Sequence, residues 1–152
     1  MSQADARDSG AAAGSPLVLG GRFDGAVLRC LDSVTEAVQH APGAVLVTGS
    51  HGGASVVRYA LAARPRLVVF NDAGVGLQQA GIAALEPLQQ AGIAACTVGH
   101  DSARIGEAAS TWATGVLSQA NAAAAALGAR PGLALRDWLL SGSSAESSPG
   151  RR

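Results

Sequence analysis

Lysine is absent from the 152 residues, and all eleven positive side chains are Arg. A Schiff-base lysine or a phosphate-loop lysine is therefore excluded as the basis of any mechanism. Aromatic residues make up 3% of the chain and charged residues 14%, against 48% hydrophobic. Eleven acids balance the eleven Arg, giving a formal net charge of zero. No global field exists to hold a nucleic acid or an anionic membrane, and neither partner is expected. Cysteine is scarce: Cys30 and Cys96 each sit inside an apolar run, AVLRCL and IAACTV. Neither lies in a CxxC or metal-ligand spacing, so both read as small core residues. No run reaches the roughly 18 apolar residues that a membrane helix needs. The opening stretch MSQADARDSGAAAGSP carries Asp5 and Asp8 without an uninterrupted apolar core, unlike a signal peptide, and a cytoplasmic location is expected.

What is present is enough apolar material for one core. Ser/Gly/Ala-rich ends at 1–15 and 141–152 are expected to be disordered tails around a single α/β domain at 16–140. Within it, AVLRCL (26–31), AVLVTG (44–49), RLVVFN (66–71) and IAACTVG (93–99) each lead into a helix-like stretch. Continuous apolar strands alternating with helices predict a parallel sheet covered on both faces. The expected fold is a three-layer, Rossmann-like open sheet of about four parallel strands. LVLGGRF followed by Asp24-Gly25 predicts a hairpin that adds an antiparallel N-terminal edge strand.

Local signals place the helices. Ser33-Val-Thr-Glu36 reads as a capping box, and His40 as a partner of the C-terminal dipole of that helix. Ser55 or Gly53 opens a second helix that buries Val56, Val57, Tyr59, Ala60 and Ala63 before Pro65 ends it. A third contains Gly81 and Pro87 and should bend or break near Glu86. In the fourth and longest, Trp112, Val116, Ala120, Ala123 and Leu127 form an apolar stripe, stopped by Gly128 and Pro131. LALRDWLL suggests one more short helix. QQAGIAA occurs at 78–84 and again at 89–95, which in an Ala-rich chain is too short a duplication to signal a repeat fold.

Ligands of parallel sheets bind beyond the carboxyl ends of the strands, where loops vary and helix N-termini present free amides. Four polar groups fall there. After the first strand come Asp32 and Ser33, which are also preferred capping residues. After the second come Ser50, His51, Gly52 and Gly53, a glycine-rich turn able to cradle an anion. After the third come Asn71, Asp72 and Gly74; after the fourth, His100, Asp101, Ser102 and Arg104. The strand–SHGG and strand–NDAGVG turns resemble those of the general Rossmann-type architecture, which hosts too many reactions to imply one.

These groups point to an enzyme, a hydrolase or lyase acting on a small anionic metabolite. His51, Asp72, His100, Asp101 and Ser102 are its expected catalytic residues, working by acid–base chemistry. Asp32, Ser33, Ser50, Gly52, Gly53, Asn71 and Gly74 are expected to bind substrate, with Arg104 as its clamp. A divalent metal held by His51, Asp72, His100 and Asp101 is a minor branch, because the spacings match no signature such as HExxH. A serine triad lacks the GxSxG elbow, and a caspase-like site lacks the cysteine. The competing reading is a non-catalytic ligand- or nucleotide-binding module or accessory subunit. In it, the run Ala122 to Ala126 would suit packing in a homo-oligomer.

Overall fold

The computed structural model describes residues 17–39 and 42–146. The fold begins with a hairpin: β1 (Leu17–Phe23) and β2 (Ala26–Leu31) pair antiparallel. Asp24 and Gly25 turn between them with φ of 54° and 81°. Two consecutive positive φ angles define a type I′ turn, whose twist matches that of the strands it joins. From β2 onward the strands run parallel through β3 (Val45–His51), β4 (Leu67–Asn71) and β5 (Ala94–Val98). A last strand, β6 (Leu117–Ala120), returns antiparallel along β5. The result is an α/β protein with a six-stranded mixed, mostly parallel sheet in the order β1-β2-β3-β4-β5-β6.

Alternation along the strands divides the core into two. Leu28, Cys30, Val45, Val47, Leu67, Val69, Cys96 and Val98 face one side. Leu31, Leu46, Val68, Phe70 and Ala95 face the other. All three crossovers between the parallel strands lie on the second side. The first is a 3-10 segment (Val34–Gln39); the second is a 3-10 turn (Ala54–Val56) leading into α1 (Val57–Ala63). The third is a 3-10 segment (Leu77–Ile82) that runs on into α2 (Leu85–Gln90). Right-handed crossovers that step always to the next strand must share a face. The first side is covered by three helices from the chain beyond β5: α3 (Ala108–Thr114), α4 (Ala122–Ala126) and α5 (Leu135–Glu146). The strand count and layering thus differ from the Rossmann-like expectation: strand order never reverses, and each face is covered by a separate part of the chain.

The long fourth helix is corrected to helix, strand, helix. Gly115 takes an extended conformation, φ −61° and ψ 137°, and ends α3. Asn121 then opens α4 by accepting the Ala124 amide. It also accepts from Ala95 and donates to the carbonyls of Leu85 and Ile93, which ties β6 to β5 and α2. The first helix is likewise a 3-10 segment without a capping box, since the Ser33 hydroxyl bonds the Thr35 amide instead. His40 lies outside the described residues. The third leaves helical backbone at Gln78 and Gln79, with φ of 55° and 61°, and not near Glu86: Ala83 and Ala84 stay right-handed and lead into α2, and Pro87 falls in its first turn, where it costs no hydrogen bond. Arg64 closes α1 in the left-handed conformation immediately before Pro65. The short final helix is α5, which continues through Ser141–Glu146; the remainder of both expected tails lies outside the described residues.

Candidate small-molecule site

Leaving β5, the chain crosses the carboxyl end of the sheet to reach α3 on the other face, where α3 packs on β3 and β2. Residues 99–107 make that crossing, and a concavity of about 740 Å³ opens beneath them. It is lined by Asn71 and Ala73 from the end of β4, by the loop from His100 to Glu107, and by Ser110 and Thr114 of α3.

Three tethers hold this wall in place. Asn71, fully buried, donates to the Ala103 carbonyl and accepts the Ala73 amide. The Asp32 carboxylate accepts the Ala108 amide at 2.9 Å, capping α3 from a residue 76 positions earlier. Gly49 accepts the Gly106 amide at 2.7 Å and lies so close to the loop that a Cβ there would collide with the backbone of Gly106 and Glu107. Ser102 is also committed: its hydroxyl donates to Gly99 and accepts the Val116 amide. Its donor is thereby used, which leaves no proton ready for a base to remove.

Asp72 is buried, only 5% exposed, next to an exposed His100. Its Oδ1 accepts the amides of Gly74 (2.8 Å) and His100 (3.0 Å) and lies 3.5 Å from His100 Nδ1. Burial pushes the Asp72 carboxyl up. The Gly74 amide, the Ser118 hydroxyl, the His100 amide and the His100 ring charge together outweigh it and hold the group below its ordinary value. An ionised carboxylate beside Nδ1 favours the tautomer that carries its proton on that nitrogen.

The other expected site residues divide clearly. His100, Asp101, Ser102, Asn71 and Arg104 line the concavity, and Gly74 stands 3.7 Å from the His100 ring when given a Cβ. His51 is exposed at the end of β3, its Nδ1 accepting the Gly53 amide, and it is not part of the lining. Ser50 accepts the Val34 amide, and Ser33 bonds Thr35. Gly52 is buried under the Gly81 carbonyl and Thr97, so SHGG is a packed turn rather than an open anion cradle. Gly53 opens the 3-10 turn without a side-chain cap. His51, Asp72, His100 and Asp101 are not gathered around a common point: among the described residues no three His, Cys, Asp or Glu are grouped to hold a metal ion.

Ala73, Ala103, Ile105, Glu107, Ser110 and Thr114 complete the lining and were not anticipated from the sequence. Ser110 and Thr114 carried a usable signal, two hydroxyls four apart and hence on one helical face. Chemically, the lining offers one imidazole backed by a buried carboxylate, one guanidinium, two exposed carboxylates at Asp101 and Glu107, and the apolar Ile105. No protein-family model, characterised protein or solved structure matches the chain.

Proposed function

We propose that the chain is an enzyme acting on a small anionic metabolite in the concavity beyond β4 and β5. The reaction class is hydrolysis or elimination by general acid–base chemistry. His100 is the acid–base group, Asp72 orients its ring and stabilises the imidazolium, and Arg104 clamps the substrate anion. The observation that carries this reading is His100 on the wall of a concavity that also holds Arg104, with the buried Asp72 carboxylate 3.5 Å behind its ring. At 3.5 Å the pair is longer than a good hydrogen bond, as catalytic pairs often are before substrate is bound. His51 and a metal have no role in this assignment.

A thermal-shift screen of inorganic phosphate and small carboxylates tests it. An anion that raises Tm in the parent protein but not in Arg104→Ala supports the assigned clamp. Turnover of small phosphate esters, carboxylic esters or hydroxy acids should then be abolished in His100→Gln. Saturable binding without turnover of any such compound would make the protein a binding module instead. A Tm insensitive to every anion, or a shift unchanged in Arg104→Ala, would remove the basis of the assignment.

A further inference from the structure

Between β4 and α2 the chain makes a ten-residue excursion from Asp72 to Gly81. Its neck is closed: Val75 donates to the Asp72 carbonyl, Gly81 donates to the Val75 carbonyl, and buried Gly81 packs against Asp72. An excursion of this length whose ends meet is an Ω-loop, a form frequently tied to function. Its conformation is costly. Ala73, Val75, Gln78 and Gln79 all have positive φ, between 52° and 67°, interleaved with Gly74 and Gly76 at 78° and 76°. For the β-branched Val75 this is a genuine outlier. Strained backbone normally persists because surrounding packing over-determines it. Here side-chain packing is sparse: of residues 73–80 only Val75 is half-buried and the other seven are exposed, Leu77 at 89%, and hydrogen bonds to Asn71 and Asp72 hold Ala73, Gly74 and Val75, leaving 76–80 as the part free to move.

The loop is therefore poised to adopt another conformation, and two observations say where it goes. Its first residue, Ala73, already lines the concavity, and Gly74 abuts the His100 ring. On the opposite wall Ile105, an apolar side chain 51% exposed, has nothing over it. Leu77 is two residues past Val75, the last residue held in the neck, a reach of up to ~7 Å when extended. We propose that residues 76–80 are a lid: when a small anion is held at Arg104 the tip of the loop folds over the concavity and seats Leu77 on Ile105. Closure buries two exposed apolar side chains, releases the left-handed conformations of Gln78 and Gln79 and screens His100 from water. The lid rests on the assignment of the concavity as the binding site.

Cross-linking tests it. Cys30 and Cys96 are buried, 5% and 0% exposed, so a Leu77→Cys, Ile105→Cys pair would be the reactive thiols. Oxidised by glutathione disulfide, this pair is expected to cross-link about fivefold or more faster with inorganic phosphate present. The acceleration is expected to vanish on adding Arg104→Ala. Equal rates with and without phosphate, while phosphate still raises Tm through Arg104, overturn the lid and leave the site standing. Absence of any Arg104-dependent shift, with phosphate or with the small carboxylates, overturns the site, and a ligand-gated lid with it. Should the double variant fail to fold, bimane on Leu77→Cys alone gives the same answer. Its emission must shift to the blue with phosphate, and an unchanged spectrum counts against closure.

Discussion

Replacing Asp72 by Asn keeps the shape of the side chain and an oxygen acceptor, and removes only the charge. In the native protein that charge receives the amides of Gly74 and His100. A hydrogen bond to a charged acceptor contributes about 1.5–3 kcal/mol and a neutral one about 0.5–1.5. Over two bonds the difference comes to about 2 kcal/mol; desolvation of the buried charge works against it, so the loss expected for Asp72→Asn at pH 7 is at most about 2 kcal/mol. The loss should depend on pH in a defined direction. The folded-state carboxyl titrates below its ordinary value of 3.8, so the folded chain gives up this proton more readily than the unfolded one. The stabilisation is therefore complete well above pH 3.8, declines as the pH falls from there toward the folded-state value, and is gone below it. Urea unfolding of parent and variant from pH 7 down to pH 3 reads both effects. The two curves should stand apart at neutral pH and converge on acidification. A gap of constant size across that range, or none at pH 7, would show that the carboxylate is not held by these amides.

Other contacts set further expected outcomes. Asn121→Ala strips four bonds from the junction of β5, β6, α2 and α4, and should lower unfolding free energy by about 3–5 kcal/mol in urea. Gly49→Ala forces the loop bearing Arg104 off the strand ends; a loss of about 1–3 kcal/mol is expected, together with a smaller phosphate-dependent rise in Tm. Val75→Gly relieves a φ of 67° and should raise stability by up to about 1 kcal/mol. Val57→Gly, in right-handed helical backbone, should lower it by about as much. Burial pushes both thiols up to about 12, aided at Cys30 by Asp32, so a disulfide reagent at pH 8 should titrate neither in the native protein and both in denaturant.

The sheet was legible where a local pattern decides the structure. Asp24-Gly25 between apolar runs announces a type I′ hairpin, and AVLRCL forms a strand over the residues expected, Ala26–Leu31. The last strand was not legible. In an Ala-rich chain small apolar residues fall at helical spacing almost anywhere, so Trp112, Val116, Ala120, Ala123 and Leu127 imitate a stripe that Gly115 and Asn121 interrupt. Asn121 works through Leu85, Ile93 and Ala95, 26 to 36 residues away, and nothing local to it reveals those partners. The site divides on the same principle. Position at strand ends brings His100 and Arg104 to the concavity with Asp72 beside them, which needs only knowledge of where strands stop. It did not tell Asp32, Ser33 and Ser50, spent on amides of the fold, from residues that face the concavity. That distinction depends on which distant backbone groups are left without a partner, a property of the assembled chain.

Backbone connectivity explains why the concavity lies where it does. In a doubly wound sheet the crevice opens where strand order reverses, because neighbouring loops then diverge to opposite faces. This sheet has no reversal. Its crossovers up to β5 all return on one face, and their turns close down: Gly52 is sealed beneath Gly81, and the Ser50 hydroxyl stitches β3 to the first crossover. Divergence occurs once, after β5, when the chain goes to the other face to lay α3 on β3 and β2. To do so residues 99–107 must bridge the end of β4, and the buried Asn71 meets them there through Ala103. On one side of that bridge the third crossover departs through Asp72 and the strained loop; on the other α3 begins. The change of face thus performs the role that a reversal of strand order plays elsewhere. It also accounts for the selection among the candidates: His100 and Arg104 ride on the one diverging segment, whereas His51 belongs to a crossover that does not diverge.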